Sequence, residues 1–367
     1  MTTAEPPALS GLVLSQRDKT HLPVGPPLSI APKKLAPLSK TARSRHDWPM
    51  YSPRWMMGRA GWVWLAVGLA GCASAPKAPR TDWPRLTLAA AQVTLLNPPD
   101  GGRFDASALL LRSDGTLLTL NDRGPEVYRI EFRPDGGEAD LVVLTNLFTR
   151  EKLAKFPAKH PGRYDCEGLA QDDRGRIYMC EEDNRWILRC DPRDGRVERL
   201  PMEWSPVRQF FSTVDGNASF EGLAVGQGVL YVANERSTPL LITVSLERLR
   251  VTGHFVAQPK KGSFFGTHYS DLCWFGGHLW ILCRQHRVVL ELDPAGLQVV
   301  AEYDYEAAED ALGYRKDFPV GIMEGLAVDR DSIWLVTDNN GLERRSAPGD
   351  IRPTLLRCPR PRLPAGR

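Results

Sequence analysis

From Ser107 to Asp338 short apolar runs alternate with turns of Gly, Asp and Ser, and the same order returns five times. The units begin at Ser107, Glu167, Glu221, Ser270 and Glu324, at spacings of 60, 54, 49 and 54 residues. Each reads as an apolar strand, a tight turn such as Ser113-Asp114-Gly115 or Gly226-Gln227-Gly228, and a second strand rich in β-branched and aromatic residues. A third strand follows in four units, at 127–132, 186–190, 240–244 and 288–292, and weaker fourth strands at 141–144 and 299–303. Four short strands at this period predict an all-β fold, a β-propeller with five countable four-stranded repeats. A sixth, degenerate blade is compatible with the spacing. The last unit lacks an obvious outer partner. The strand-like stretch 86–96 is expected to supply it and to close the ring, which removes an exposed sheet edge.

In a propeller the first strand of each blade lines the central channel. Its start and the end of the second strand are antiparallel neighbours, so both lie on one face of the disk. The starts form one ring, Ser107, Glu167, Glu221, Ser270 and Glu324, with Asp271 beside it. The ends of the second strands form another, Asp122, Glu182, Glu235, Arg284 and Asp338. Three Glu facing one axis repel by about 2 kcal/mol per pair at about 7 Å and an effective dielectric near 20. Protonation, Arg284 or a bound cation must relieve this. Hard oxygen donors with no His or Cys among them favour calcium, with Glu167, Glu221, Glu324, Ser107, Ser270 and Asp271 as candidate ligands. Equally, the repeated Glu-Gly-Leu-Ala opening serves as a packing motif, its Gly168, Gly222 and Gly325 admitting a close neighbour. The loops on this face carry aromatic and basic residues: Phe210, Phe211, Lys260, Lys261, Phe264, Phe265, Tyr303, Tyr305, Tyr314, Arg315 and Lys316. They read either as a rim for an anionic ligand or as packing over the channel mouth.

The N-terminal part changes the picture of where the protein acts. Residues 1–55 are Pro-rich and basic, with no apolar period. Met56-Met57-Gly58-Arg59 then leads into an apolar run at 60–71, too short to span a bilayer as a helix. The run ends in Leu69-Ala70-Gly71-Cys72, which resembles the bacterial lipobox. Residues 56–71 are therefore expected to be a lipoprotein signal peptide, with translation starting at Met56 or Met57 and residues 1–55 untranslated or disordered. Cys72 would carry the lipid, 72–84 would be a linker, and the propeller would span 85–360. Ala73 is not the Asp of an inner-membrane retention signal, so an outer-membrane anchor in the periplasm is expected.

Nine Lys/Arg against three acids lie before Cys72, leaving 38 basic against 41 acidic residues in the remainder. The overall charge of +3 thus comes from the leader and gives no support to nucleic-acid binding. The six other Cys form no CxxC pair, so neither a zinc site nor a redox motif is indicated. Cys180 and Cys190 flank a predicted hairpin turn, so a disulfide and buried free thiols are the two alternatives for them.

The order Ser, Glu, Glu, Ser, Glu at the strand starts resembles the SdiA-regulated family of exported bacterial propellers. So do Phe220-Glu221-Gly222-Leu223-Ala224, Leu230-Tyr231-Val232-Ala233-Asn234-Glu235 and Met323-Glu324-Gly325-Leu326-Ala327-Val328, and Cys283-Arg284-Gln285-His286-Arg287 ahead of 288–292. The resemblance covers about residues 100–345 and implies a calcium-binding propeller without an established enzymatic activity. It departs at Asp271, where Gly is usual. The Glu-Gly-Leu-Ala motif is also similar to propellers with the esterase-like activity of phytase and, more distantly, to calcium-dependent lactonases.

No GxSxG, HExxH, P-loop or dinucleotide motif occurs, and the His residues are scattered. The function expected first is a lipid-anchored, calcium-binding module of the cell envelope that presents its loop face to a small ligand or an envelope protein. The alternative is a calcium-dependent hydrolase of esters, phosphoesters or lactones, with Glu182, Glu235 or His268 as base. A pure scaffold is the third.

Overall fold

The computed structural model describes residues 82–216, 218–315 and 320–363. The leader, the signal segment, Cys72 and Lys316 lie outside the described residues. Among those described, no helix is long and apolar enough to cross a membrane.

The five predicted repeats are five blades. Their inner strands are Ala106–Leu111, Cys166–Gln171, Phe220–Gly226, Tyr269–Phe275 and Met323–Val328. Each pairs antiparallel with the strand that follows it, across the predicted turn. Each inner strand packs against the next, and the fifth packs against the first, so the ring closes at five with no sixth blade. Five core clusters fill the five gaps between neighbouring blades. This explains why inner strands such as Cys166–Gln171 and Met323–Val328 read as near-continuous apolar runs: both of their faces are covered.

Blade five is where the expectation needs correction. Its third strand, Thr354–Pro359, comes after a long connection that hides it from the repeat pattern. Its fourth strand is Gln92–Asn97, from the N-terminal side, as the closure argument requires. That strand also pairs in parallel with Glu138–Val143 of blade one, which joins blades five and one into one eight-stranded sheet. The other half of the expected closing stretch goes elsewhere. Arg85–Thr87 adds a fifth, parallel strand to blade four.

The glycines of the repeated motif mark close approach. A Cβ on Gly222 would lie 2.6 Å from Asp271 Cα, and one on Gly325 would lie 2.6 Å from the Ala108 carbonyl carbon. Cys180 and Cys190 are free thiols. Register explains it: Cys180 opposes Ile187 and Cys190 opposes Ile177, which turns the two sulfurs to opposite faces of the blade. Cys180 packs toward blade three and Cys190 toward blade one.

Candidate functional site

At the start of every inner strand the pairing register skips, between Ala106 and Ala108, Cys166 and Leu169, Phe220 and Gly222, Tyr269 and Asp271, and Met323 and Gly325. Each gap falls on a ring residue: Ser107, Glu167, Glu221, Ser270 or Glu324. A bulge leaves its residue outside the ladder and re-aims the side chain. The same device, used five times, turns one position per blade out of the sheet at one mouth of the channel. The ends of the second strands are tied to this layer through backbone bonds. Asp122 N donates to Asp105 O, Glu182 N to Asp165 O, Glu235 N to Ser219 O and Arg284 N to His268 O.

The two rings do not behave as rings. The half made by blades three to five is compensated. Glu235 is fully buried and accepts from Arg284 Nη2 at 2.6 Å, and it also pairs with Arg236 and, at 3.2 Å, with His268 Nδ1. Arg284 reaches on to Glu324. Burial, then Arg284 and Arg236, lower the His268 pKa to about 4, so its ring is neutral at pH 7. With Glu235 as its Nδ1 partner, the neutral ring carries its proton there and leaves Nε2 as an acceptor.

The side made by blades one and two, with Glu221 of blade three and Asp338 of blade five beside it, is acidic. Asp122, Asp165 and Glu167 each place a carboxylate oxygen within 4.8 Å of the others. Burial, then Asp105, Asp338 and Asp165, raise Asp122 to about 8. Burial, then Asp165, raises Glu182 to about 8. Glu167 is pushed well up by burial, then by Glu221 and Asp165. Glu221 is pushed well up by burial and Glu182, with Arg284 and Arg236 opposing. Burial and Asp105 raise Asp338 to about 7, and its oxygens accept from Asn340 N and Nδ2. Arg103 Nε at 2.7 Å and Arg123 at 3.5 Å pair with Asp105, while Arg123, Arg163 and Arg236 oppose the upward shifts of Asp122, Asp165 and Glu182 without forming an ion pair with them among the described residues.

Two candidate residues, Asp271 and Ser107, have other work. Asp271, expected beside the upper ring, instead turns into the channel and accepts backbone N–H bonds. The donors are Leu109 N at 3.2 Å, Leu326 N at 2.8 Å and Leu272 N at 2.8 Å, in blades one, five and four. The Ser107 hydroxyl donates to Cys166 O of the next blade at 2.9 Å. Ser270 is buried, and its hydroxyl has no hydrogen-bond partner. The loop residues divide in the same way. Phe210, Tyr303, Tyr305 and Tyr314 are buried, Phe211 packs on Trp204 and Phe220, and Lys261 pairs with Asp304 and Glu306. Only Phe264 and Phe265 of that set stand exposed as large apolar groups.

Sequence reasoning missed Asp105 and Asp165. Their signal was a third register, two residues before each ring position, which reads Asp105, Asp165, Ser219, His268 and Ile322.

The donor set fits a hard cation. On the acidic side Asp122 Oδ1 and Glu182 Oε1 are buried with no hydrogen-bond partner. Such orphaned oxygens are costly unless something binds them, and all of the donors are oxygen.

Among solved structures, the chain is similar to glutaminyl cyclase of Myxococcus xanthus at 15% identity and a TM-score of 0.50. The match covers 76% of this chain and 97% of that one. It is similar at lower scores to a luciferin-regenerating enzyme (10% identity, TM-score 0.40, covering 70% of this chain and 92% of that one). A virginiamycin B lyase of Staphylococcus aureus gives 13% identity and a TM-score of 0.36, covering 70% of this chain and 82% of that one. At these identities the first likeness shows the fold alone, and the other two carry no argument. No curated protein matches the chain. Residues 104–341, which hold all five inner strands and both rings, match the Phytase-like family described as esterase-like activity of phytase, and the chain belongs to that family.

Proposed function

We propose that this protein is an exported, lipid-anchored propeller that binds calcium at its acidic channel mouth and presents the ion to an anionic ligand or partner in the cell envelope. The observation that supports this most is the group Asp122, Asp165 and Glu167, whose carboxylate oxygens lie within 4.8 Å of one another, with Glu182 beside it. These four carboxylates would hold the ion. Bound there, calcium supplies a positive charge that offsets their repulsion and attracts an anionic ligand. The finer likeness to the SdiA-regulated propellers points the same way, and the lipobox at Leu69-Ala70-Gly71-Cys72 supports the anchor.

Calcium titration followed by calorimetry and thermal melting tests the site. At a hundredfold excess over Kd the folded state should gain about 2.7 kcal/mol. The double variant Asp165→Asn, Glu167→Gln should lose that gain, whereas Glu324→Gln, on the Arg284 side, should keep it. A wild-type protein whose melting is the same in EDTA and in calcium would remove the proposal. Lipid labelling that is lost in Cys72→Ser tests the anchor separately.

The second reading, a metal-dependent hydrolase of esters, phosphoesters or lactones, is favoured by the family match and by the His268–Glu235 pair. In it, His268 Nε2 or Glu182 would take the proton of the attacking water. Turnover that disappears in His268→Ala while calcium affinity persists would establish it. A folded, calcium-loaded protein inactive on a panel of all three substrate classes would count against it.

A further inference from the structure

The opposite end of the channel holds a second cavity, of about 600 Å³. Consecutive residues of the inner strands line it, Leu110 and Leu111, Leu169 and Ala170, Leu223 and Ala224 among them, so it lies on the propeller axis. Asp271 lies beneath the lining and ties inner strands together there. Its carboxylate bonds the amides of Leu109 and Leu272, which line the cavity, and that of Leu326. A fixed carboxylate therefore lies between the acidic mouth and this funnel.

The funnel is chemically unlike the acidic mouth. Its wall is mostly apolar, and aromatic rings stand around it: Trp274, stacked on Tyr231 at 5.6 Å, with Phe275, Trp334 and the exposed Phe132. Arg112 and Asp329 are the charged residues of its lining. Asp329 is committed, since Oδ1 accepts from Asp331 N and Ser332 N and Oδ2 from the Trp334 indole. Arg112 is not. Its Nε is buried without a hydrogen-bond partner, and its Nη1 meets Asp114 at only 3.4 Å, on a half-exposed carboxylate. Mostly apolar walls with a few polar groups, at this volume, describe a small-molecule site rather than a protein interface.

We propose that the funnel binds a small aromatic molecule bearing one anionic group, its ring between the apolar walls and its anion on the Arg112 guanidinium. A ring fits better than an acyl chain, because aromatic side chains stand around the wall. The fluorescent sulfonate 1-anilinonaphthalene-8-sulfonate and its neutral analogue N-phenyl-1-naphthylamine separate the two halves of the proposal. Both should bind the folded protein with one saturable site, equally in EDTA and in calcium. Arg112→Gln should weaken the sulfonate about tenfold, the scale of a charge-assisted hydrogen bond, and leave the neutral probe within about twofold. Val225→Trp, or Leu111→Trp should that variant fail to fold, fills the funnel and should abolish binding of both at an unchanged melting temperature. Absence of saturable binding, or binding that survives both filling variants, overturns the site. An equal effect of Arg112→Gln on the two probes overturns the anion assignment, and displacement of the sulfonate by dodecanoate at comparable affinity overturns the aromatic one.

Discussion

Asp271 stands where blades two, three and five have Gly168, Gly222 and Gly325 and blade one has Ala108. Burial pushes its pKa well up, while three backbone amides oppose that shift by holding the anion. The amides it accepts from belong to strands at the inner edge of three blades, where no further strand can pair with them. Asp271→Asn keeps the shape but puts an NH2 group where at least one amide now donates. It should cost about 2–3 kcal/mol, the scale of a buried group left unsatisfied. Urea unfolding measures this, and an unchanged midpoint would sink the account. The departure from Gly at this position was legible in the chain. The direction of the carboxylate was not, because it depends on strands 55 and 162 residues away.

At the scale of the element, Gln92–Asn97 is the strand on which closure rests. It completes blade five beside Thr354–Pro359 and also reaches blade one. Without it, the third strand of blade five and the fourth strand of blade one would each lose a pairing partner, and Leu96 would leave the core between them. Deleting residues 82–97 should therefore lower the melting temperature of the entire propeller, not of one blade, and should broaden the transition. Calorimetry that shows an unchanged single transition would contradict this. The need for an N-terminal closing strand was legible from the missing partner in the fifth repeat. Its division into two pieces, one for blade four and one for blade five, was not. Nor was Thr354–Pro359, which lies beyond the repeat spacing that identified the third strand of every other blade.

For the whole molecule, the acidic mouth sets a pH dependence of unusual sign. Asp122 and Glu182 titrate at about 8 and Asp338 at about 7 in the fold, against ordinary values of 3.8 and 4.5. Between about pH 4 and 8 the calcium-free folded state holds protons that the unfolded chain has released. Stability from these groups is complete below pH 4 and is lost as pH rises toward 8. Carboxylates lowered to about 2, such as Asp350, change stability only below pH 4 and do not offset this. In EDTA the melting temperature should fall from pH 5 to pH 8, and calcium should flatten the fall by replacing the protons. A melting temperature that rises with pH in EDTA would refute the assignment of the acidic half.

Spacing along the chain was enough to determine five repeats, the first two strands of each and the one position per repeat where the inner strand begins. Local pattern carries that information, because a strand, a tight turn and a second strand are decided within about fifteen residues. The partners of the ring residues were decided only by the tertiary structure. Glu235 and Glu324 find Arg284, while Asp122 and Glu167 find Asp165, although all four acids look alike in their repeats. Electrostatics is set by distance in space, and closing the ring brings together charges from different blades that no local pattern relates. The same closure places a buried carboxylate between an acidic mouth and a mostly apolar funnel.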